Sequence, residues 1–375
     1  MKIKMSTAEL QRAIRNIKSC SARGANGVQQ LEFYVNNSQA TITASNGVAM
    51  AQARIDCAGG DCRFSLDGKN FIAYCEKFDG EETVLSVADQ MVTAKCGGIT
   101  ARIAKVSDEA TDPLESQAES VEMESEQFKH LMTIALSCAG VNDLRPVLNG
   151  VYLVADNGKI TAVGCDSFKL AVYKSEIPKS NAAIKAIIPA SAIASVTKSP
   201  IIGGGNCTVK ISPFRGTKIR ISCDDKTSSA VFVCNLIQGD YVDYDRLLPK
   251  SADVEYEIDA CSIADAVSTA QIAESKTYLK FTFQGDTVTV SSVSSTTQVD
   301  IQKDCKSTGR DTSNDPFVIG FNGTYFSKVV GVIGDSFKMS MSNPVRPAVL
   351  YNEMQYNSET AESVTLMLLP VRMRE

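Results

Sequence analysis

The sequence has little of the chemistry on which most enzymes depend. Its 375 residues contain a single histidine, His130, and no tryptophan. Neither a Walker motif nor an H-E-x-x-H or G-x-S-x-G pattern occurs. His130 lies off the apolar side of a predicted helix, where we expect a solvated side chain and not a general base. These absences favour a protein that binds over one that catalyses, with a cysteine nucleophile as the open alternative.

Long apolar runs are also missing. No stretch approaches the ~20 apolar residues of a membrane-spanning helix, and no apolar signal-peptide segment follows Met1. Twelve cysteines are scattered along the chain, and the closest pair is Cys57 and Cys62. With one histidine, a zinc site would need thiolates alone, so we expect no metal and no cofactor. We interpret most cysteines as small buried hydrophobic residues in a reducing compartment, which predicts a cytoplasmic protein.

A surplus of basic residues is absent as well. The chain has 38 Lys and Arg against 43 Asp and Glu, for a net charge of −5. Nucleic-acid-binding proteins usually carry a basic surface, so this balance argues against a tight grip on DNA or RNA. Net charge does not report how charge is distributed, and a local basic surface stays open.

The sequence does contain a weak internal repeat of about 120–135 residues. An amphipathic helical pattern opens each repeat, at residues 6–20, at residues 124–138 and from Cys261 onward. A second helical pattern follows later in each repeat, at residues 71–74, 193–196 and 326–329. A helix-start residue precedes each of these: Asp67, Pro189 and Asn322.

Between the helical patterns, polar and β-branched residues alternate, which predicts short strands. The clearest examples are residues 40–44, 159–163, 218–222, 287–290 and 365–369. Because the same order of elements occurs three times, we predict an α+β fold of three copies of one domain, with helices packed on antiparallel sheets. The predicted domains are residues 1–120, 121–250 and 251–375.

Several segments in the second and third repeats carry a family resemblance. They are residues 145–151, 164–171, 238–249, 343–350 and 369–373. In this order, on a triplicated chain of this length, they resemble the bacterial DNA polymerase III beta subunit family, the DNA sliding clamps. The sequence departs from the family pattern at Cys165, Val242 and Leu369. In the first repeat only the order of helices and strands matches.

This resemblance implies three DNA-clamp domains and a processivity factor that is not an enzyme. Two chains would form a head-to-tail ring with helices inside and sheets outside, encircling duplex DNA without reading its sequence and tethering the replicative polymerase. We expect an edge strand at residues 99–106, including Ile103, to pair with one near residues 272–281, including Ile272.

The inner helices should then carry basic side chains opposite their apolar stripes. Arg12, Arg15 and Lys18 have this position in the first helix, and Lys129 has it in the second. By resemblance, Arg23 and Arg145 are further DNA-facing residues. We expect all six to contact phosphates and not bases.

The resemblance also implies a pocket for partner peptides between the second and third domains. Its predicted residues are Leu148, Cys165, Asp166, Phe168, Lys169, Leu170, Val242, Arg246, Leu247, Pro347, Met367, Leu369, Pro370, Val371 and Arg372. We expect an apolar cleft with a basic rim of Lys169, Arg246 and Arg372. Polymerase and clamp-loader subunits would bind it through short linear peptides, and no membrane partner is expected.

Two other classes of function stay open on the sequence alone. One is an enzyme whose active site is not recognised by any motif. The other is a β-rich protein-interaction scaffold without a DNA role.

Overall fold

The computed structural model describes residues 1–21, 29–178, 182–205, 207–249, 251–272, 278–293, 300–310, 315–356 and 360–372. The chain divides into two compact units. The first contains Met1–His130, Ala155–Gly158 and Pro178–Ile237, and the second contains Leu131–Val154, Lys159–Ile177 and Gln238–Glu375.

Within the described residues, six α-helices lie where the periodicity predicts them. They are α1 (Thr7–Ile17), α2 (Gly68–Cys75), α3 (Ser125–Cys138), α4 (Ala190–Thr197), α5 (Ala260–Ala270) and α6 (Gly323–Val330). Side chains cap four of them, because the first backbone N–H groups of a helix lack partners. The capping residues are Ser6, Asp67, Asp259 and Asn322. Pro189 precedes α4 without a side-chain cap, as expected for proline.

The first unit contains one antiparallel 13-stranded sheet. Its strands are β1 (Lys2–Ser6), β2 (Gln30–Asn36), β3 (Gln39–Ser45), β4 (Ala49–Asp56), β5 (Ala58–Gly59), β6 (Cys62–Asp67), β7 (Glu82–Val87), β8 (Met91–Cys96), β9 (Ile99–Ser107), β10 (Val121–Glu124), β15 (Thr208–Phe214), β16 (Lys218–Asp224) and β17 (Ser229–Asn235). Their order across the sheet is β10-β15-β16-β17-β4-β3-β2-β6-β9-β8-β7-β1-β5. Strand β14 (Ile184–Pro189) also belongs to this unit.

The second unit contains the other large sheet. Its strands are β11 (Gly150–Asp156), β12 (Lys159–Cys165), β13 (Lys169–Glu176), β18 (Val254–Asp259), β19 (Tyr278–Gln284), β20 (Thr287–Val293), β21 (Asp300–Arg310), β22 (Phe317–Asn322), β23 (Ser336–Met341), β24 (Ala348–Tyr356) and β25 (Thr360–Leu368). From β12 onward the order is β12-β13-β25-β24-β23-β18-β21-β20-β19-β22. All neighbouring strands in this order pair antiparallel.

One order of elements recurs three times along the chain: strand, helix, four strands, helix, three strands, with β5 added in the first repeat. This confirms the predicted α+β class. Consecutive repeats are joined strand to strand. The last strand of the second repeat, β17, pairs with β4, and the last strand of the third, β25, pairs with β13. The domain boundaries at residues 120 and 250 stay predictions.

The helices bury their apolar stripes, as the sequence predicts. In α1 the side chains of Leu10, Ile14 and Ile17 are at most 1% exposed. Burying each such side chain contributes about 1.5–3 kcal/mol. Most cysteines are buried too, although Cys261 is exposed and Cys207 is joined to Cys223 in a disulfide.

Candidate functional site

An apolar basin is built from four neighbouring strands, β11, β12, β13 and β25, and two loops of the second unit. Its floor is buried, and its rim is partly buried. The floor consists of Leu148, Val163, Cys165, Leu170, Val172 and Met367, and the rim consists of Val147, Tyr152, Tyr241, Val242, Tyr244 and Leu248. Register places the floor, because Leu170 of β13 lies opposite both Cys165 of β12 and Met367 of β25.

Tyrosines form much of the rim. The rings of Tyr152 and Tyr241 stack with centroids 4.9 Å apart, and the ring of Tyr244 lies 6.5 Å from that of Tyr152. The Tyr241 hydroxyl donates to the Val163 carbonyl at 3.5 Å, and burial raises the pKa of Tyr241. These tyrosines were not predicted as site residues from the sequence, nor were Val147, Val163, Val172 and Leu248. The signal in the sequence that could have identified Tyr241 and Tyr244 is their position beside Val242, which was predicted as a pocket residue.

The turn between β12 and β13 is held by Asp166. Its Oδ1 accepts hydrogen bonds from the backbone N–H groups of Phe168 at 2.7 Å and Lys169 at 2.8 Å. Its Oδ2 lies 2.7 Å from Lys169 Nζ, and the Lys169 side chain is only 4% exposed. The prediction that Lys169 supplies a basic rim is therefore wrong, because a buried, paired ammonium does not face an incoming ligand.

The remaining predicted pocket residues lie along the chain's C-terminal segment and the neighbouring loops. Phe168 is 51% exposed, with its ring 5.6 Å from that of Tyr325. The Leu369 N–H donates to the Phe168 carbonyl, and the Val371 N–H donates to the Gly320 carbonyl. Pro347, Leu369, Pro370 and Val371 are half-buried, whereas Arg246, Leu247 and Arg372 are exposed.

The loop between α3 and β11, which internal hydrogen bonds hold in place, was not predicted from the sequence to expose large apolar side chains. Leu144 is 99% exposed and Val141 is 84% exposed, which is unusual for large apolar side chains. The loop is held by hydrogen bonds between Asp143 and Asn149 in both directions, at 2.7 and 2.9 Å. Arg145, predicted to face DNA, pairs here with Asp143 at 3.5 Å and donates to the Ser167 hydroxyl.

Arg12 and Arg15 of α1, and Lys18 directly after its end, differ in their exposure and in their hydrogen-bond and ion-pair partners. Arg15 is exposed, whereas Lys18 pairs with Glu76 at 2.8 Å. Arg12 is half-buried, donates to the Thr227 carbonyl, and lines a cleft of about 410 Å³ that also contains acidic side chains. On α3, Lys129 is exposed and packs against Gly203. Arg23 lies outside the described residues. Phosphate contact by any of the six stays a prediction.

The two strands predicted to form the interface between copies of the chain differ in whether one of their edges is unpaired. Over residues 99–104, β9 pairs with β8 on one side, and no second strand pairs with this stretch among the described residues. Ile103 is 3% exposed and belongs to the buried hydrophobic core. The prediction of an edge strand near residues 272–281 is wrong for β19, which pairs with both β20 and β22. Ile272 follows α5 and is 76% exposed.

Two kinds of site are not seen in the described part of the chain. There, no group of three or more His, Cys, Asp or Glu side chains could hold a metal ion. No helix in the described segments is long and apolar enough to cross a membrane.

Comparisons with known proteins agree with this architecture. The family described as the central domain of the DNA polymerase III beta subunit matches residues 122–243, and its C-terminal domain matches residues 245–370. The beta sliding clamp of Staphylococcus aureus is 23% identical over 314 residues, which is 82% of this chain and 79% of that protein.

Solved structures share the fold over the whole chain. The sliding clamp from Bacillus subtilis has a TM-score of 0.86 at 15% identity, with 100% of both chains covered. The sliding clamp from Pseudomonas aeruginosa bound to griselimycin has a TM-score of 0.85 at 17% identity, again with 100% of both covered.

The fold is therefore that of the DNA clamps. The chain belongs to the DNA polymerase III beta subunit family, and its role is that of a DNA sliding clamp. The family resemblance is confirmed, and a scaffold without a DNA role is not favoured.

Proposed function

We propose that two copies of this chain close head to tail into a ring around duplex DNA, and that the apolar basin tethers the replicative polymerase. The chain itself would catalyse nothing and would need no cofactor. It would act in the cytoplasm, where bacterial DNA is replicated.

The repeat junctions support ring closure. In the first two repeats, the third strand after the first helix, β4 or β13, pairs with the last strand of the following repeat. The equivalent strand of the third repeat is β21, which pairs with β20 over residues 300–306 and has no second partner there among the described residues. The last strand of the first repeat, β9, has a free edge over residues 99–104. Pairing β21 with β9 of a second copy would repeat the same junction and satisfy two exposed sheet edges.

Ring closure and its topology can be tested together. Light scattering over a dilution series should give a mass near twice the 40.3 kDa of the chain. The chain would then be dissociated in urea and reassembled, by diluting out the urea, in the presence of closed circular plasmid. Cutting the plasmid should release a linked ring, because a ring slides off a free end. A protein held by phosphate contacts would stay bound after cutting but leave at high salt. A monomer at every concentration would contradict the ring.

The basin supports a peptide-binding role, and its half-buried rim is the observation that carries this proposal. A buried apolar floor with accessible aromatic walls accepts short peptides with large apolar anchors. Polymerase and clamp-loader subunits could then bind the same basin in turn through short linear segments. The Pseudomonas aeruginosa clamp, which shares the fold, has been solved bound to griselimycin.

The peptide site can be tested with displayed short random peptides selected on the wild-type chain. We expect peptides with apolar anchors to be enriched, and a variant with Val147→Ser and Val242→Ser to bind them at least about tenfold more weakly. These two side chains are partly buried, so the fold should survive their replacement. Met367, 6% exposed on the floor, is a poorer choice. The control is Val345→Ser at a 65% exposed position. Equal binding by both variants would contradict the site.

A further inference from the structure

One side of the apolar basin is formed by the segment from Gly239 to Arg246. In this segment the tyrosines face the basin and the aspartates face solvent. Tyr241 and Tyr244 pack inward against the basin floor. Asp240, Asp243 and Asp245 are exposed. We call these three carboxylates the acidic rim. The acidic rim is held in place because Tyr241 and Tyr244, its neighbours in the chain, pack against the basin floor.

The acidic rim is only partly compensated within its own segment. Arg246 is the one basic residue there, and its Nε lies 2.8 Å from Asp243 Oδ2. Both side chains of this pair are well exposed, at 87% and 58%, so the pair is weak and open to exchange. Among the described residues, Asp240 and Asp245 form no ion pair.

Two other cations close to the basin have carboxylate partners already. Lys169 is buried against Asp166, and Arg145 pairs with Asp143. The pKa of Tyr244 is raised by burial first and then by Asp245, Tyr152 and Asp243. Asp243 and Asp245 flank Tyr244 in the chain, so the acidic rim lies beside the basin wall. Arg372, exposed at the end of the described chain, is the remaining cation among the predicted pocket residues.

We infer, on the basis of the peptide site proposed above, that this basin selects peptides whose apolar anchors are flanked by lysine or arginine. The apolar anchors would supply most of the affinity, and the acidic rim would supply discrimination and a faster encounter. Acidic-flanked peptides with the same anchors would be rejected by repulsion from Asp240, Asp243 and Asp245. Because the carboxylates of the acidic rim are exposed, the preference for basic flanking residues should weaken as ionic strength rises.

The experiment measures fluorescence polarisation with three labelled versions of one peptide selected on the wild-type chain. They share the anchors and carry lysine, serine or glutamate at the flanking positions. On the wild-type chain at low salt we expect the lysine version to bind about tenfold more tightly than the glutamate version. A variant with Asp240→Asn and Asp245→Asn should lose most of this difference. The control carries Asp89→Asn and Asp286→Asn, two exposed carboxylates in other hairpin turns, and should keep it.

The two proposals fail in different ways. If Val147→Ser with Val242→Ser leaves all three peptides bound, the peptide site is not this basin, and the inference falls with it. If that variant abolishes binding but the three peptides bind the wild-type chain equally, the site stands and the charge preference is overturned. An unchanged preference in the rim variant would also overturn it.

Discussion

Gly164 in β12 lies directly against the backbone of Ala135 in α3. A Cβ atom added at Gly164 would sit 1.8 Å from the Ala135 carbonyl oxygen and 3.0 Å from the Ala139 nitrogen. No real side chain tolerates such a distance to backbone, so helix and strand can approach this closely only with glycine. The next residue, Cys165, belongs to the basin floor. The contact therefore fixes the helix over the strand that carries the basin.

Gly164→Ala should destabilise the chain by about 3 kcal/mol, because the new methyl group can be accommodated only by moving α3 or β12. Unfolding in urea, followed by circular dichroism, measures the change. The matched control is Gly98→Ala, where an added Cβ meets nothing within 4 Å. A midpoint unchanged by Gly164→Ala would show that the helix does not pack on the strand in this way.

The buried pair of Asp166 and Lys169 leads to a second prediction. Asp166→Asn keeps an oxygen for the two backbone N–H groups but removes the charge that balances Lys169. Leaving a buried ammonium without its partner should cost about 3 kcal/mol. Glu82→Gln, in the exposed pair of Lys4 and Glu82, should cost at most about 1 kcal/mol. The two variants are compared by urea unfolding, and equal losses would mean that Lys169 reaches water.

The helices could be predicted because their signals are local. Ser6 caps α1 three residues before Glu9, and Asn322 caps α6 three residues before Tyr325. The 3.6-residue apolar period then determines which face is buried. Such signals lie within a few residues of the chain and survive without tertiary information.

The basin could be predicted only in part, because its geometry depends on distant segments. The family resemblance supplied four residues that lie on the floor: Leu148, Cys165, Leu170 and Met367. It did not supply the stacking of Tyr152 on Tyr241, which joins residues far apart in sequence. Nor could it supply the burial of Lys169, since the exposure of a side chain is decided by what packs around it.

Cysteine reactivity provides a third prediction, since Cys261 is exposed at the start of α5 while Cys165 lies in the basin floor. Burial, followed by the charge of Asp166, raises the pKa of Cys165 to about 11. At pH 8 only about 0.1% of that thiol is thiolate, the reactive form. A disulfide reagent at pH 8 should therefore label Cys261 first, and Cys261→Ser should remove the fast phase. A fast phase that survives this substitution would mean that another thiol is open to solvent.

The loop after β16 supplies a prediction about pH. Burial acts to raise the pKa of Asp225, but hydrogen bonds from the backbone and hydroxyl groups of Thr227 and Ser228 outweigh it and lower the pKa below the ordinary aspartate value. A group with a lowered folded-state pKa stabilises the fold above its unfolded pKa, and this contribution is lost as pH falls through the folded value. The same loop accepts the hydrogen bond of Arg12 at the Thr227 carbonyl.

Asp225→Asn should therefore reduce the free energy of unfolding near pH 6, and the gap to the wild-type chain should narrow as pH falls below about 4. Urea unfolding at several pH values measures the gap. Asp89→Asn, an exposed carboxylate in the turn between β7 and β8, is the control for the general loss of stability in acid. A gap that stays constant down to pH 2 would mean that the hydrogen bonds, and not the carboxylate charge, hold the loop. Arg12 would then keep its partner in acid, because the Thr227 carbonyl would not move.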